Sequence, residues 1–387
     1  MLRRRVAKVI LFANTDWYLY NFRLSLAMTL KQLGVEVLLV SPPGDYRERF
    51  ASLGLRWRSL PFTRRSLNPI DQARAVAGLA RIYANERPDV VHHFTIKSAV
   101  YGSIAARLTR VPTIVNSIAG LGSAAGQTSL SEHGLARRLA FASLRLALRN
   151  THVIVQNPDD GEFLIRQRIV EAARCQLIKG SGVDLARFRP TRKRTLGVTV
   201  LLASRLLWSK GIKEFVEAAI KVRSRHPQVR FVIAGDADPG NPDTLLPADL
   251  DELSRNSNIV MRGHVDDMPS LLAETDIVAL PTSYGEGVPR ILVEAAACGL
   301  PLITTDAPGC REIVRPGVNG YLIKARDVGA LAEAIDRLAS NHSLRGAMGV
   351  QSRLFAETEF GEAIVLDATI RTYGVDPSSS PRTAAAS

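Results

Sequence analysis

The feature that most constrains this chain is an alternation that runs through it twice. Short apolar runs are each followed by a stretch with helical spacing. A run that is apolar throughout reads as a strand covered on both faces, and parallel neighbours need a helical crossover between them. In the first half the expected strands are Val9–Ala13, Val35–Val40, Val90–His93, Thr113–Ser117 and His152–Gln156. Helical spacing falls at Phe22–Leu33, Ile70–Asn85 and Leu135–Arg149. A basic, Pro-containing stretch, Arg187–Arg194, interrupts the pattern and reads as a linker. The pattern then restarts with strands at Val198–Ala203, Arg230–Ala234, Ile259–Arg262, Ile277–Leu280, Leu302–Thr304 and Tyr321–Ile323. Its helices fit Ile212–Ser224, Met268–Glu274, Pro289–Cys298 and Val328–Ala339.

With 387 residues the chain is too long for one ordinary core. We expect two doubly wound α/β domains facing a cleft, 1–188 and 189–357, with ligands at the carboxyl ends of the strands. A helix at 358–374 is expected to return to the first domain, and the Ser/Pro/Ala-rich tail, 375–387, to be disordered.

Other classes drop out. The apolar run after the basic N-terminus stops at Asn14, too short for a signal-peptide core. The uncharged stretch Val111–Ser131 is long enough to cross a bilayer, but Gly120, Gly122, Gly126 and several serines break it into strand and loop. Cys175, Cys298 and Cys310 form no C-x-x-C pair, which argues against a disulfide scaffold or zinc site and fits a reducing, cytoplasmic setting.

The net charge of +13 is unevenly spread. Residues 1–190 hold 28 Lys+Arg against 13 Asp+Glu, and residues 191–387 hold 22 against 24. A basic first half suits a polyanionic partner such as a phosphorylated substrate or an anionic membrane face, or simply a solubilising surface. No helix-turn-helix, zinc-finger or aromatic-basic RNA motif is present, so nucleic acid is not an expected partner.

The strongest chemical signal is Ser283-Tyr284-Gly285-Glu286-Gly287-Val288-Pro289-Arg290-Ile291-Leu292-Val293-Glu294-Ala295, which follows the strand Ile277–Leu280. Gly285 and Gly287 let the backbone turn sharply and approach a ligand closely. Pro289 suits the first helical turn, and the N–H groups around Gly287 and Val288 would face an anion. Two carboxylates beside a phosphate site would repel it, so Glu286 and Glu294 more plausibly grip neutral hydroxyls. Glu294 sits among Ala295–Ala297 on a helix that looks buried, and a buried carboxylate needs partners.

The second signal is Ser204–Gly211, directly after the strand Val198–Ala203. Arg205 offers a planar fork for phosphate and Lys210 a point charge. Two fixed cations can neutralise a leaving diphosphate without a metal. Asp236-Ala237-Asp238 has the spacing of a metal pair, yet Gly-Asp after a strand is also an ordinary turn. No cofactor or metal is expected.

These runs, Ala203–Lys213 and Pro281–Gly320, resemble the donor domain of retaining glycosyltransferases of family 4. The second contains E-x7-E, then Ala297-Cys298-Gly299-Leu300-Pro301, Glu312 and Asn319-Gly320; Gly182–Phe188 matches the family's end-of-first-domain segment. The resemblance implies the GT-B fold, two Rossmann-like domains facing an interdomain cleft. It implies a nucleotide-sugar donor, a UDP-sugar here, whose diphosphate is held by Arg205 and Lys210. Glu286 would bind hydroxyls of the transferred sugar near the Gly287 and Val288 amides, and Glu294 those of the ribose. Glu312 would support the loop. Anomeric configuration would be retained, the leaving phosphate oxygen helping to deprotonate the acceptor.

The first half resembles a subgroup that extends undecaprenyl-diphosphate-linked glycans, through Asn21-Phe22-Arg23, Arg65-Ser66-Leu67-Asn68-Pro69, His92–Lys97 and Ala119–Gly122. That resemblance implies transfer of a hexose or N-acetylhexosamine, with Asn21, Arg23, His92, Lys97 and Gly120 as candidate acceptor or sugar contacts. The loop Asn14–Tyr18 lacks the Gly-Gly turn that many members carry, and Ala119 stands where many have a His. His92 either replaces that His or is a structural strand-end histidine.

Arg138, Arg145 and Arg149 form a stripe on one helix, and Arg56, Arg58, Arg64 and Arg65 cluster near Trp57 and Phe62. Such surfaces suit an anionic membrane face or a lipid diphosphate, or form a solvated edge. A nucleotide-sugar epimerase or hydrolase, or a non-catalytic nucleotide-sugar-binding subunit, are the alternative readings.

Overall fold

The computed structural model describes residues 6–61, 68–121, 134–191, 197–257 and 259–375. It divides into two compact units, Met1–Ser181 with the segment from Ala363 onward, and Gly182–Glu362. Val183 and Phe188, which the sequence pattern leaves before the boundary, are buried in the second unit's core.

In the first unit, β1 (Lys8–Phe12), β2 (Glu36–Ser41), β3 (Arg56–Ser59), β4 (Val90–Phe94), β5 (Thr113–Ile118), β6 (His152–Val155) and β7 (Cys175–Leu177) form one sheet. Its order is β3-β2-β1-β4-β5-β6-β7, and every pairing is parallel. The unit's helices are α1 (Asp16–Gln32), α2 (Arg47–Ser52), α3 (Pro69–Glu86), α4 (Ile96–Leu108), α5 (Gly134–Leu148) and α6 (Pro158–Arg166). β4 is buried along its whole length, as a central strand with helices on both faces must be.

The second unit repeats the design with β8 (Thr199–Ala203), β9 (Arg230–Ala234), β10 (Val260–Met261), β11 (Ile277–Leu280), β12 (Leu302–Thr305) and β13 (Gly320–Ile323). The order is β10-β9-β8-β11-β12-β13, again all parallel. Its helices are α7 (Ile212–Arg223), α8 (Pro247–Ser257), α9 (Met268–Ala273), α10 (Arg290–Ala297), α11 (Val328–Ser340) and α12 (His342–Phe355). The last helix, α13 (Glu362–Thr372), puts Val365 and Ile370 into the first unit's core.

Each sheet reverses direction once, between β1 and β4 in the first unit and between β8 and β11 in the second. At such a switch point the two connecting loops leave in opposite directions and open a crevice at the carboxyl ends of the strands. The loop after β8 carries Arg205 and Lys210, and the loop after β11 carries Glu286. The topology therefore places the second unit's two sequence signals side by side.

Helix α4 is absent from the sequence reading. Ser98, Ala99, Tyr101, Gly102, Ser103, Ala105 and Ala106 are all buried, so no polar stripe marks its period. Helix α1 begins six residues before the expected Phe22, because the Thr15 side chain caps the Tyr18 N–H.

Candidate active site

The loop after β8 folds into a single 3-10 turn, Trp208–Lys210, closed by Gly211 in a left-handed conformation (φ 79°). A Cβ on Gly211 would stand 2.2 Å from the Pro281 carbonyl oxygen, so only glycine lets the two loops approach this closely. The Ser209 carbonyl then accepts from the Ser283 N–H at 2.8 Å and from Thr282 Oγ1 at 3.1 Å. Thr305 Oγ1 in turn donates to the Thr282 carbonyl at 2.6 Å. Neighbouring strands thus hold the Lys210 loop and the Glu286 loop in fixed relation.

Lys210 is 6% exposed. Its Nζ donates to Glu286 Oε1 at 2.5 Å and lies 5.5 Å from the centre of the Tyr284 ring. A buried ammonium requires such an anionic partner. Arg205 is half exposed and donates from Nη1 to Asp238 Oδ2 at 2.7 Å. The segment from Asp236 to Leu245 clasps the cationic loop along its length. Leu206 N–H donates to the Asp236 carbonyl at 2.8 Å, Trp208 N–H to the Asp243 carbonyl at 3.0 Å, and Ser209 N–H to Asp243 Oδ2 at 3.0 Å. The Asp238 carboxylate of the Asp-x-Asp run is therefore bound to an arginine, and Asp236 faces His264 at 3.8 Å.

One expectation about the carboxylate loop needs correction. Pro289 is not in the first helical turn; it is the N-cap of α10 with extended backbone (ψ 119°), and its carbonyl accepts from Leu292 N–H. Neither Gly285 nor Gly287 has a positive φ. The left-handed glycine here is Gly309 (φ 81°), whose Cβ would lie 1.6 Å from the Gly287 carbonyl oxygen. The loop after β12 presses directly on the Glu286 loop, and a side chain at 309 would displace it.

Glu294 is 7% exposed in the middle of α10. Its partner is Arg290, one turn earlier, whose Nε donates to Oε1 at 2.6 Å. Burial pushes the Glu294 carboxyl above its ordinary range, and the guanidinium charges of Arg290 and then Arg187 oppose that rise. Two buried thiols border the site. Burial pushes Cys310, close to Glu286, and Cys298, close to Glu294, up to about 12, so both are inert at neutral pH.

Between the carboxyl ends of β9 and β10 lies a pocket of about 300 Å³, lined by Leu206, Gly235, Asp236, Leu250, Met261 and Gly263. Among the described residues, no group of three or more His, Cys, Asp and Glu side chains is placed to hold a metal ion.

The first-unit candidates separate into built-in and surface groups. His92 is fully buried and both ring nitrogens are engaged, Nε2 with Ser117 Oγ at 2.7 Å and Nδ1 with the Tyr373 hydroxyl at 2.5 Å. That geometry favours the strand-end histidine over a sugar contact. Asn21 donates to the Trp17 carbonyl at 2.9 Å. The Gly120–Leu121 backbone is held by the buried Asp160. Arg23 and Lys97 stand near the switch point, on α1 and in the first turn of α4. The expected basic surfaces are partly engaged: Arg56 and Arg58 pair with Glu86 at 2.9 and 3.1 Å, and Arg145 keeps its charge while donating to the Gln167 carbonyl. Arg64, Arg65 and the Arg138 side chain lie outside the described residues.

Comparison with known proteins decides the family. Residues 197–341 match the model for glycosyl transferases group 1, and residues 22–179 that for a glycosyl transferase 4-like domain. The chain is 30% identical to the N,N'-diacetylbacillosaminyl-diphospho-undecaprenol alpha-1,3-N-acetylgalactosaminyltransferase of Campylobacter jejuni, covering 84% of this chain and 88% of that one. The chain belongs to the group 1 glycosyl transferases. It is also 26% identical to the UDP-Gal:alpha-D-GlcNAc-diphosphoundecaprenol alpha-1,3-galactosyltransferase of Escherichia coli, over 74% of this chain and 75% of that one. A solved glycosyltransferase from Rickettsia africae superimposes with a TM-score of 0.78 at 17% identity, over 96% of this chain and 98% of that one. The fold class is GT-B, with its two parallel-sheet α/β units.

The roles of three side chains at this candidate site are missing from the sequence reading. Arg290 stands at i−4 from Glu294 on a helix, a spacing that marks it as the partner. Asp238 and Asp243 reach the cationic loop from more than thirty residues away, and no local signal announces that.

Proposed function

We propose that this glycosyltransferase moves a hexose or N-acetylhexosamine from a UDP-sugar to a lipid-diphosphate-linked saccharide, with retention of configuration. The observation that carries the reading is the pairing of the buried Lys210, on the same loop after β8 that carries Arg205, with the half-buried Glu286 at the switch point of the second sheet. Arg205 and Lys210 take the donor diphosphate and offset the charge that builds on it as the glycosidic bond breaks. Glu286, once Lys210 turns to phosphate, accepts from hydroxyls of the transferred sugar, with the Gly287 and Val288 amides beside it. Glu294 accepts from the ribose hydroxyls, and Arg290 favours its ionised form against the effect of burial. The pocket lined by Leu206 and Met261 has room for the base. A phosphate oxygen of the leaving group assists removal of the acceptor proton, through an oxocarbenium-like transition state.

The acceptor class follows from the relatives, both of which are named for diphospho-undecaprenol substrates. Such an acceptor lies in a membrane, so the enzyme would work peripherally at the cytoplasmic face. No described helix is long and apolar enough to cross a membrane. Calorimetric titration with UDP-, GDP- and ADP-sugars tests the donor assignment. The reading expects UDP-sugars to bind tightest and Lys210→Ala to weaken them; equal binding of all three would remove the UDP assignment.

A further inference from the structure

The first sheet has its own switch point, between β1 and β4, and the side chains there are arranged unusually. Arg23, on α1, is 5% exposed. Its guanidinium lies 4.4 Å from the centre of the Phe94 ring and 5.6 Å from that of Tyr18. Nη2 donates to the Tyr18 hydroxyl at 3.1 Å, and Nε is buried with no hydrogen-bond partner. Among the described residues no carboxylate pairs with it. The neighbouring His92 cannot serve as its counter-ion, since an imidazole carries no negative charge. A buried guanidinium supported only by rings and one phenol is costly for the fold.

The next residues add positive character at the same strand end. Phe94 is the last residue of β4, and Thr95, which starts α4, holds φ 79° and ψ 155°, a conformation that is strained for any residue but glycine. Helix α4 has thirteen residues, no acidic side chain in its first turn and no side-chain cap on its N-terminal N–H groups. Lys97 sits in that first turn, a cation at the positive end of the helix dipole. The acidic groups nearest in the chain are already committed. Asp16 holds the N–H groups of Trp17 and Tyr46, and Asp89 holds those of Ala7 and Lys8. For folding alone the orphan Arg23 Nε and the strained, uncapped start of α4 are unfavourable; an anion bound there would relieve them together.

We propose that Arg23, with the first turn of α4, forms an anion subsite in the first unit that takes a phosphate of the acceptor's diphosphate. The inference rests on the lipid-diphosphate acceptor read above and assigns that group to particular atoms. Arg23 Nε–H is the donor reserved for the phosphate, and the α4 amides supply the rest of the cradle.

The test uses the full chain saturated with UDP, so that the donor site is closed to other diphosphates. Farnesyl diphosphate is the probe and farnesol the phosphate-free control. The 1H–15N resonance of Arg23 Nε–H, assigned by its loss in Arg23→Lys, reports contact directly. Farnesyl diphosphate is expected to shift that resonance and farnesol to leave it in place. Arg23→Met is expected to weaken farnesyl diphosphate binding at least tenfold with UDP affinity unchanged. An unmoved resonance in the wild-type chain overturns the subsite even if Arg23→Met does not fold. A wild-type chain that transfers sugar to lipid-diphosphate acceptors without that shift loses the subsite alone. A chain that shows the shift but transfers to no such acceptor keeps the subsite and loses the acceptor reading.

Discussion

Lys210 Nζ stands 2.5 Å from Glu286 Oε1, and the two side chains come from loops on either side of the switch point in the second sheet. Each is the other's counter-ion before the donor binds. On binding they must part, the ammonium to phosphate and the carboxylate to sugar hydroxyls. Neither group needs to act as a general acid or base in this scheme. Lys210→Ala and Glu286→Gln are each expected to lower turnover by roughly 10²-fold or more, since both groups act where charge develops. Initial-rate measurements check this, with circular dichroism establishing that the fold is intact; near-normal rates in both variants would remove the site assignment.

Arg290 is expected to set the donor affinity through Glu294. Arg290→Met leaves a buried carboxylate without its guanidinium partner, a loss of roughly 1–3 kcal/mol, which is about a five- to 150-fold rise in donor Kd. The pH dependence has a defined sign. Burial raises the Glu294 carboxyl from its ordinary 4.5 in the folded chain, so the native state holds this proton more tightly than the unfolded state. Its contribution to stability is therefore fully present below the ordinary value and declines as pH rises through the raised one. Donor binding needs the carboxylate and should weaken as pH falls through that same window. In Arg290→Met the acid limb of donor binding should move to still higher pH, measurable by calorimetry across a pH series.

Glu86 shows the opposite linkage in the first unit. Burial alone would raise its carboxyl, but hydrogen bonds and charge from Lys8 and Arg56 more than offset this and hold it below its ordinary 4.5. Its stabilising effect is present above the ordinary value and lost as pH falls through the lowered one. Glu86→Gln should destabilise the chain by roughly 1–3 kcal/mol at neutral pH, with the gap to wild type closing in acid. Urea denaturation at the two pH values measures both.

The basic first half leads to a membrane prediction. The chain should co-sediment with vesicles rich in anionic lipid and be released by salt, since exposed charges are screened beyond about 8 Å at physiological ionic strength. Because Arg56 and Arg58 are tied to Glu86, their replacement should change this binding little. Salt-insensitive binding, or none, would count against a basic membrane face.

The fold was legible because strands buried on both faces announce themselves as unbroken apolar runs. Ile277–Leu280 coincides with β11, and its successor loop could be read as a site from Gly285, Glu286 and Gly287 alone. What escaped was of two kinds. Helix α4 is buried nearly all round, so periodicity had nothing to register. Contacts between distant segments were also invisible: Asp243 on Ser209, Asp238 on Arg205 and Gly309 against Gly287 depend on strand order, which no local pattern encodes. The i,i+4 spacing of Arg290 to Glu294, by contrast, is readable from the sequence itself.

The most direct test of the account is transfer itself. Full-length protein is incubated with a UDP-sugar radiolabelled in the hexose and an undecaprenyl-diphosphate-linked saccharide, and the lipid product is counted and its new linkage assigned by proton NMR. The account predicts label in the lipid fraction, the donor's anomeric configuration preserved, and loss of the signal in Lys210→Ala. An inverted linkage, or transfer undiminished without Lys210, would contradict it.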